Sequence, residues 1–404
     1  MLWIQLAIVL ACIVVGARLG GLGLGVVPGL GLLVLVWGFG NAPGGPPIDV
    51  LLIIVAVVSA AATLQAAGGL DLLVLVADRL LRRKPEWITF VGPLVSYAFT
   101  FGAGTGHVAY SILPVIAEVS RTAGVRPERP LSISVIASQM AITASPLTAA
   151  TAGMIALLSA ARLEQAGMDP ALAIGLGDIL MVCVPATLIG TLLGALSVMR
   201  RGPELADDPE YQRRLASGEM KPPVKLAELA PVERSRARTA VAIFLGAACL
   251  VVLIGLVPAL RPSEPRNPEA FLPVANWFSG LPETVDARKP QPVSMVATIQ
   301  IVMLCAAAAM MLFAKASPDK AVRGSIMRAG IVAVVSILGI AWLGECFIGR
   351  FQTEVVGGIA AAATAAPWTF AVGLFAPAAV RSRHSRLQPA QKRATSHKPL
   401  RLRH

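Results

Sequence analysis

Charge is scarce in this sequence. Asp, Glu, Lys and Arg make up 14% of its 404 residues, against about 25% in soluble domains, which excludes an ordinary water-soluble globule. Cysteine is sparse as well: Cys12, Cys183, Cys249, Cys305 and Cys346 each sit alone in an apolar segment, with no Cys-x-x-Cys pair. That spacing excludes a zinc knuckle or a dithiol centre and leaves small buried hydrophobes. Histidines number four, and His384, His397 and His404 fall within the last 21 residues. Sequence neighbours therefore assemble no metal site, and no cofactor is expected. The Gly-Lys-Ser/Thr phosphate loop is also missing, which excludes nucleotide-driven transport by this chain.

What is abundant is hydrocarbon: 55% of the residues are hydrophobic. Crossing about 30 Å of lipid needs about 20 apolar residues. The stretches that qualify are Leu24–Phe39 with its flanks, Val50–Ala67, Leu131–Ala160, Ala171–Met199, Thr239–Leu260, Val293–Ala314 and Gly330–Ile348. Met1–Val15 has no Lys or Arg before it and no clear cleavage site, so it reads as a first membrane segment rather than a signal peptide. The fold class is an all-α polytopic membrane protein. Small residues at four-residue spacing (Gly16 and Gly20; Gly21, Gly25 and Gly29) suit close helix packing; no strand–turn–helix unit surrounds them to make a dinucleotide fingerprint.

Basic loops mark the cytoplasmic side: Asp78–Lys84, Arg121–Arg129, Arg200–Arg238 and Lys315–Arg328. The Pro-rich, charge-balanced connection Arg261–Pro292 reads as external. Residues 381–404 hold eight Lys or Arg and no acid, two-thirds of the formal net charge of +12. Such a tail suits anionic lipid. Its composition is also that of a GC-rich message read out of frame, and no nucleic-acid partner is expected.

Two basic loops flank "FTFGAGTGHVAYSILPVI" (Phe99–Ile116). With Lys84 and Arg121 on one side, residues 85–120 enter and leave by the same face, and 36 residues are too few for two spans of about 20 plus a turn. A re-entrant hairpin fits: Trp87–Phe101 goes in, Gly102–Gly106 turns, and Val108–Val119 comes out. Non-helical backbone at membrane depth is tolerated where it is buried in protein or lines a cavity. A second break lies in Leu131–Ala160, at "ITASPLTAAT" (Ile142–Thr151). Pro146 removes a backbone donor and frees a carbonyl, with Thr143, Ser145 and Thr148 around it. A Pro-kinked helix whose hydroxyls bond back to the preceding turn is the simpler reading; the glycine hairpin just before it favours an interrupted helix. Interrupted helices at the midplane build substrate sites in secondary transporters, where helix ends and amides hold an anion.

No Lys or Arg lies in either broken region, so a carboxylate would be held by dipoles, amides and hydroxyls. Thr105 and His107 sit at the hairpin tip; His107 either donates to a carboxylate or bonds a neighbouring carbonyl. Glu345 reads as a buried acid that pairs with Arg350 or carries a coupling proton, the ion pair being favoured. Internal repetition is visible in "PEWITFVGPLV" (Pro85–Val95) against "PWTFAVGLFAP" (Pro367–Pro377), and more weakly in "AGGLD" (Ala67–Asp71) against "AWLGE" (Ala341–Glu345). The two Trp-Thr-Phe arms would enter from opposite sides, which is an inverted repeat.

Together "GARLGGLGLG", "AGGLD", "GTGHVAYSILPVIAE", "RPERPLS", "IASQMAITASP", "PVSMVATIQ" and "GIAWLGE" resemble the Dcu family of bacterial anaerobic C4-dicarboxylate transporters, from about residue 5 to about residue 375. The His after Gly-Thr-Gly and the Arg-Pro-Glu-Arg-Pro loop are more similar to the DcuB branch than to the DcuA branch. The resemblance implies a multi-pass carrier of the bacterial inner membrane, not an enzyme, that exchanges fumarate, malate or aspartate for succinate in anaerobic respiration. It also implies inverted repeats of the ion-transporter superfamily type, each with a re-entrant hairpin and a broken helix, an elevator movement and a homodimer. Carried over by position, Gly104, Thr105, Gly106 and His107 form the hairpin tip; Thr143, Ser145, Pro146 and Thr148 form the broken helix.

The chain then divides into a first repeat, residues 1–199, with hairpin 85–120 and broken helix 131–160; a cytoplasmic loop, 200–238; a partial second repeat, 239–380; and a basic tail, 381–404, expected to be disordered. After Val380 the family's second hairpin tip and broken segment have no counterpart. The second repeat is therefore expected to be incomplete, through a shifted frame or early termination. The alternatives to a working carrier are a transport-deficient truncated product and a regulatory membrane partner of a dicarboxylate sensor kinase.

Overall fold

The structure, a computed structural model, describes residues 1–158, 169, 172–218, 230–262 and 293–354. The second Trp-Thr-Phe arm, most of the external connection, part of the 200–238 loop and the basic tail lie outside the described residues. Every regular element among those described is helical. In chain order they begin with α1 (Leu2–Leu19), α2 (Gly23–Leu33, continued by a π turn at Val34–Gly38), α3 (Ile48–Ala66), α4 (Gly69–Arg83), α5 (Ile88–Ala103), α6 (Leu113–Thr122) and α7 (Glu128–Ala144). They continue with α8 (Ala149–Leu157), α9 (Leu176–Val198), α10 (Pro209–Ala216), α11 (Pro231–Leu256), α12 (Met295–Phe313), α13 (Pro318–Arg323) and α14 (Ser325–Arg350). Six of these, α1, α3, α9, α11, α12 and α14, are long and apolar enough to cross a membrane. The chain is a multi-pass helical membrane protein.

The chain divides into two compact units, residues 1–46 with 339–404, and residues 47–338. In the first, α1 and α2 form a tight hairpin. A methyl group on Gly16 would lie 2.9 Å from the Gly23 carbonyl oxygen, so the small residues are what let the two backbones meet. Asn41 donates to Gln5 across 2.8 Å, and both amides are buried. The Trp342 indole donates to the Gly44 carbonyl at 3.3 Å. Glu345 is exposed, and among the described residues no ion pair joins it to Arg350. Five residues turn a helix by 140°, which points the two side chains apart. Arg350 lies instead 6.0 Å from the centre of the Phe351 ring.

In the second unit α3 is the central helix. Three-fifths of it is buried, 61% against 17–39% for the other five spans. Its Ala56, Ala60 and Ala61 are buried, and α12 packs against it with Ile299, Met303 and Met310 fully enclosed. Beside this core α5, α7 and α9 pack as a trio. Thr100 of α5 hydrogen-bonds Ser138 of α7 at 2.8 Å, and Ser145 reaches the Phe101 carbonyl at 2.7 Å, so α5 and α7 run the same way. On α9, Gly194 lies against Ile133 and Gly190 against Met140, so α9 runs against α7.

The first ends of α5 and α7 therefore share one end of the trio, and ion pairs collect there. Arg82 at the end of α4 pairs with Glu118 near the end of α6 at 2.8 Å, which brings the two flanks of the 85–120 segment together. Arg129 is 6% exposed. It donates to the Arg201 and Gly202 carbonyls and to Glu204, at 2.8, 2.7 and 2.6 Å. Arg126 bridges Glu128 and Asp208. One end of the trio is thus closed by a collar of ion pairs.

Candidate functional site

The segment after α5 turns on glycine. Helix α5 stops at Ala103 because Gly104 adopts a left-handed conformation, φ +66°, with its amide bonded to the Thr100 carbonyl at 2.9 Å. This is the ordinary glycine stop, favoured because a Cβ is strained there. A short 3-10 stretch, Gly106–Ser111, follows, and then α6 returns. Gly104 also has a second role. A Cβ on it would lie 2.8 Å from Leu147 Cβ and 3.0 Å from the Leu147 oxygen. Leu147 sits between Pro146 and Thr148, so the tip of the hairpin rests on the backbone of the break. Gly106 makes a parallel approach, its α-carbon facing the Gln139 amide and Ile142 of α7.

The break is a true interruption rather than a kink. Helix α7 ends at Ala144; Ser145 is extended at ψ 132°, and Thr148, at ψ 150°, caps α8. Pro146 cannot donate, so carbonyls at the end of α7 lose their partners. Hydroxyls take them over. Thr148 donates to the Ile142 carbonyl at 2.7 Å and accepts from the Thr151 amide. Thr151 donates to the Ser145 carbonyl at 2.7 Å. Ser145 donates to the Phe101 carbonyl and accepts from the Leu147 amide at 3.3 Å. Thr143 donates to the Met140 carbonyl at 2.8 Å. Ser145, Pro146, Leu147 and Thr148 are all buried.

The eight residues singled out in the sequence fall in this one region. Gly104 and Gly106 form the tip that meets the break; Ser145, Pro146 and Thr148 form the break itself. Thr143 is on the exposed side of α7. Thr105 is half-buried between the two tip glycines. His107 lies in the 3-10 stretch, and its side chain is outside what is described. A hydroxyl has one proton to give. Those of Thr143, Ser145 and Thr148 go to backbone carbonyls, so these side chains shape the interruption rather than supply donors to a ligand. The donors left by geometry are amides. In the first turn of α8, Thr151 and Ala152 already bond to Thr148, while Ala149 and Ala150 have no intrahelical acceptor. They carry the positive end of the α8 dipole.

Sequence reasoning missed Leu147, Thr151, Thr100 and Ser138. Leu147 has no chemical signal; only the close approach of Gly104 reveals it. Thr100 and Ser138 were legible as a pattern: Ser96 and Thr100 on α5, and Ser134 and Ser138 on α7, each repeat at four residues, and Thr100 meets Ser138. Among the described residues no group of three or more His, Cys, Asp or Glu could hold a metal ion.

The family described as anaerobic C4-dicarboxylate membrane transporter matches over residues 1–386. An anaerobic C4-dicarboxylate transporter, DcuB, of Escherichia coli O6:H1 is 36% identical over 374 residues, covering 92% of this chain and 77% of that protein. A C4-dicarboxylate transporter, DcuA, of Wolinella succinogenes is 37% identical over 375 residues, 93% of this chain and 78% of that one. The Helicobacter pylori 26695 DcuA is 34% identical over 371 residues, 92% and 76%. Relatives of both branches thus stand at similar identity. No solved structure matches the chain.

Proposed function

We propose a transport mechanism from one premise: the chain belongs to the anaerobic C4-dicarboxylate membrane transporter family. It is a membrane transporter and not an enzyme. On this reading the chain exchanges C4-dicarboxylates, fumarate, malate or aspartate against succinate, across the bacterial inner membrane. The hairpin tip and the broken helix together hold the anion. The observation that carries this is the contact of Gly104 with Leu147: two interruptions, about 40 residues apart in a chain whose helices rise 1.5 Å per residue, meet at one point. The amides of Ala149 and Ala150 and the tip residues Gly104, Thr105, Gly106 and His107 are the groups assigned to substrate. Thr143, Ser145, Pro146 and Thr148 hold the break open around them.

Backbone amides and a helix dipole suit a dicarboxylate because they attract negative charge without the desolvation of a buried arginine, which costs several kcal/mol when unpaired. The elevator movement and the homodimer follow the family resemblance, with α5–α9 as the moving body. The test is counterflow: full-length protein in liposomes preloaded with succinate, with labelled fumarate outside. Uptake that depends on internal succinate is expected. Absence of exchange with fumarate, malate, aspartate and succinate in every pairing, by protein shown to be folded, would overturn the reading.

A further inference from the structure

A cavity in the 47–338 unit is lined by twelve residues, all of them apolar, and holds about 210 Å³. Its floor is Leu64 of α3, Leu70 of α4 and Phe244 of α11, all buried. One wall is the hairpin, through Gly102 and Val108. Its mouth lies between Ala98 and Leu245, which are both exposed. A methyl group on Gly102 would meet nothing within 4 Å, so the space reaches to the helix backbone. An apolar cavity of this size does not hold water; it stays dry or takes a hydrocarbon. In a membrane-spanning chain the hydrocarbon at such a mouth is lipid.

The approach to the mouth carries charge of one sign. Arg234, Arg238 and Leu245 fall close together around α11, at spacings of four and seven residues, which set them within about 60° of one another. Arg238 is exposed, Arg234 half-buried, and neither has an ion-pair partner among the described residues. Glu233, the acid nearest them on the helix, is about 100° round from Arg234. At 1.5 Å per residue, Leu245 lies about 10 Å from Arg238 and about 16 Å from Arg234. One leaflet of hydrocarbon is about 15 Å thick, half of about 30 Å. A phosphate at the two guanidiniums therefore sits one acyl-chain length from the cavity mouth, and arginine is suited to phosphate.

We propose that this cavity and the Arg234–Arg238 face of α11 form one site for an anionic phospholipid, its phosphate on the two arginines and one acyl chain inserted past Leu245 against Gly102 and Val108. The chain end then supports the hairpin at Gly102 and Val108. The occupant is a bilayer lipid and not a free phosphate or a substrate anion, because the cavity offers a carboxylate or a phosphate no donor.

The experiment uses the full chain in liposomes doped with a phosphatidylglycerol that carries a photoactivatable group near the end of one acyl chain. Cross-linked peptides are mapped by mass spectrometry, and the readout does not depend on transport. Labelling concentrated on the peptides containing Ala98–Val108 and Phe244–Leu245 is expected, several-fold above lipid-exposed positions on α9 such as Leu193 and Leu196. Gly102→Leu fills the space and is expected to lower that labelling at least fivefold. Arg234→Gln with Arg238→Gln is expected to abolish the preference for the phosphatidylglycerol probe over a phosphatidylcholine probe. Where Gly102→Leu fails to fold, Ala98→Trp at the exposed mouth tests the same point. Labelling spread evenly over the lipid-facing helices, labelling untouched by both filling variants, or a headgroup preference that survives loss of both arginines would overturn the proposal.

Discussion

Adding one methyl group at Gly104 tests the interlocked site most directly. Two independent costs arise in Gly104→Ala. The residue is at φ +66°, and a left-handed conformation costs an L-residue about 1–2 kcal/mol. The new Cβ would also stand 2.8 Å from Leu147 Cβ and 3.0 and 3.1 Å from the Leu147 oxygen and carbonyl carbon. The last two are backbone atoms beside a proline, so they cannot swing aside as a side-chain end would, and overpacking of this kind costs about 1–3 kcal/mol. The sum is about 3 kcal/mol, equivalent to about a hundredfold shift in an equilibrium. Gly102→Ala is the matched control. It is two residues earlier, within the last turn of α5, with no positive φ and open space at its Cβ, and alanine favours the helix by about 0.5–1 kcal/mol. Both variants are compared by thermal unfolding of the purified protein in detergent and by fumarate–succinate counterflow in liposomes. Gly104→Ala is expected to lose most exchange and to melt earlier, and Gly102→Ala to melt no earlier than the parent. If Gly104→Ala matches the parent in both assays, the tip does not rest on the break and the site as described is wrong.

Three further changes separate roles that a static picture merges. Ser145→Ala removes the donor to the Phe101 carbonyl and the acceptor for the Leu147 amide; with the serine and Leu147 both buried, a loss of about 1–3 kcal/mol in unfolding free energy is expected, and an unchanged melting curve would count against the bridge. Arg129→Ala strips two carbonyls and Glu204 of their donor. Because Glu204 is itself half exposed, the loss is expected to be about 2–4 kcal/mol rather than the full cost of a buried pair, with Arg129→Lys recovering only part; a shift below about 1 kcal/mol would show the collar to be ornamental. Ser96 and Ser134 are buried with no hydrogen-bond partner for their hydroxyls among the described residues, so Ser96→Ala and Ser134→Ala are expected to be neutral or stabilising. Destabilisation of either by more than about 1 kcal/mol would mean that the hydroxyl has a ligand, a water molecule or an ion.

Much of this arrangement was legible in the residues, because breaking a helix inside hydrocarbon demands distinctive chemistry. Three glycines in one turn at Gly102–Gly106 weaken a helix, and a proline among hydroxyls at Pro146 both interrupts one and supplies the groups that satisfy its freed carbonyls. Basic residues at Lys84 and Arg121 bracket a stretch too short for two crossings. The meeting of the two breaks was not legible, since it depends on Leu147, a plain leucine whose role is purely one of position. The use of the hydroxyls was half legible: the back-bonding expected of a simple kink is what Thr143 does, while Ser145 reaches across to another helix, a partner no local pattern encodes. The misplaced Glu345–Arg350 pair shows the converse error. Two opposite charges close in sequence invited pairing, but helical phase, about 140° for five residues, separates them.

The hydrogen bonds constrain how the proposed site can work. Ser145 ties the break to α5, Gly104 seats the tip on the break, and Arg129 ties α7 to the chain leaving α9. Each joins elements that contribute to the site, and a movement between α5 and α7 would break the Ser145–Phe101 and Thr100–Ser138 hydrogen bonds together. At about 1–3 kcal/mol for each unpaired group, opening the site from within would cost more than a carrier can afford on every cycle. On the proposed reading, then, α5, α7, α8 and α9 travel as one body with the anion, and the sliding surface lies on their outer faces. The apolar cavity behind Gly102 is on such a face, where Phe99, Gly102 and Val108 of the hairpin meet α3, α4 and α11 across apolar side chains. Contacts of that kind are non-directional and can be exchanged for contacts with lipid, whereas the hydroxyl network inside the body cannot.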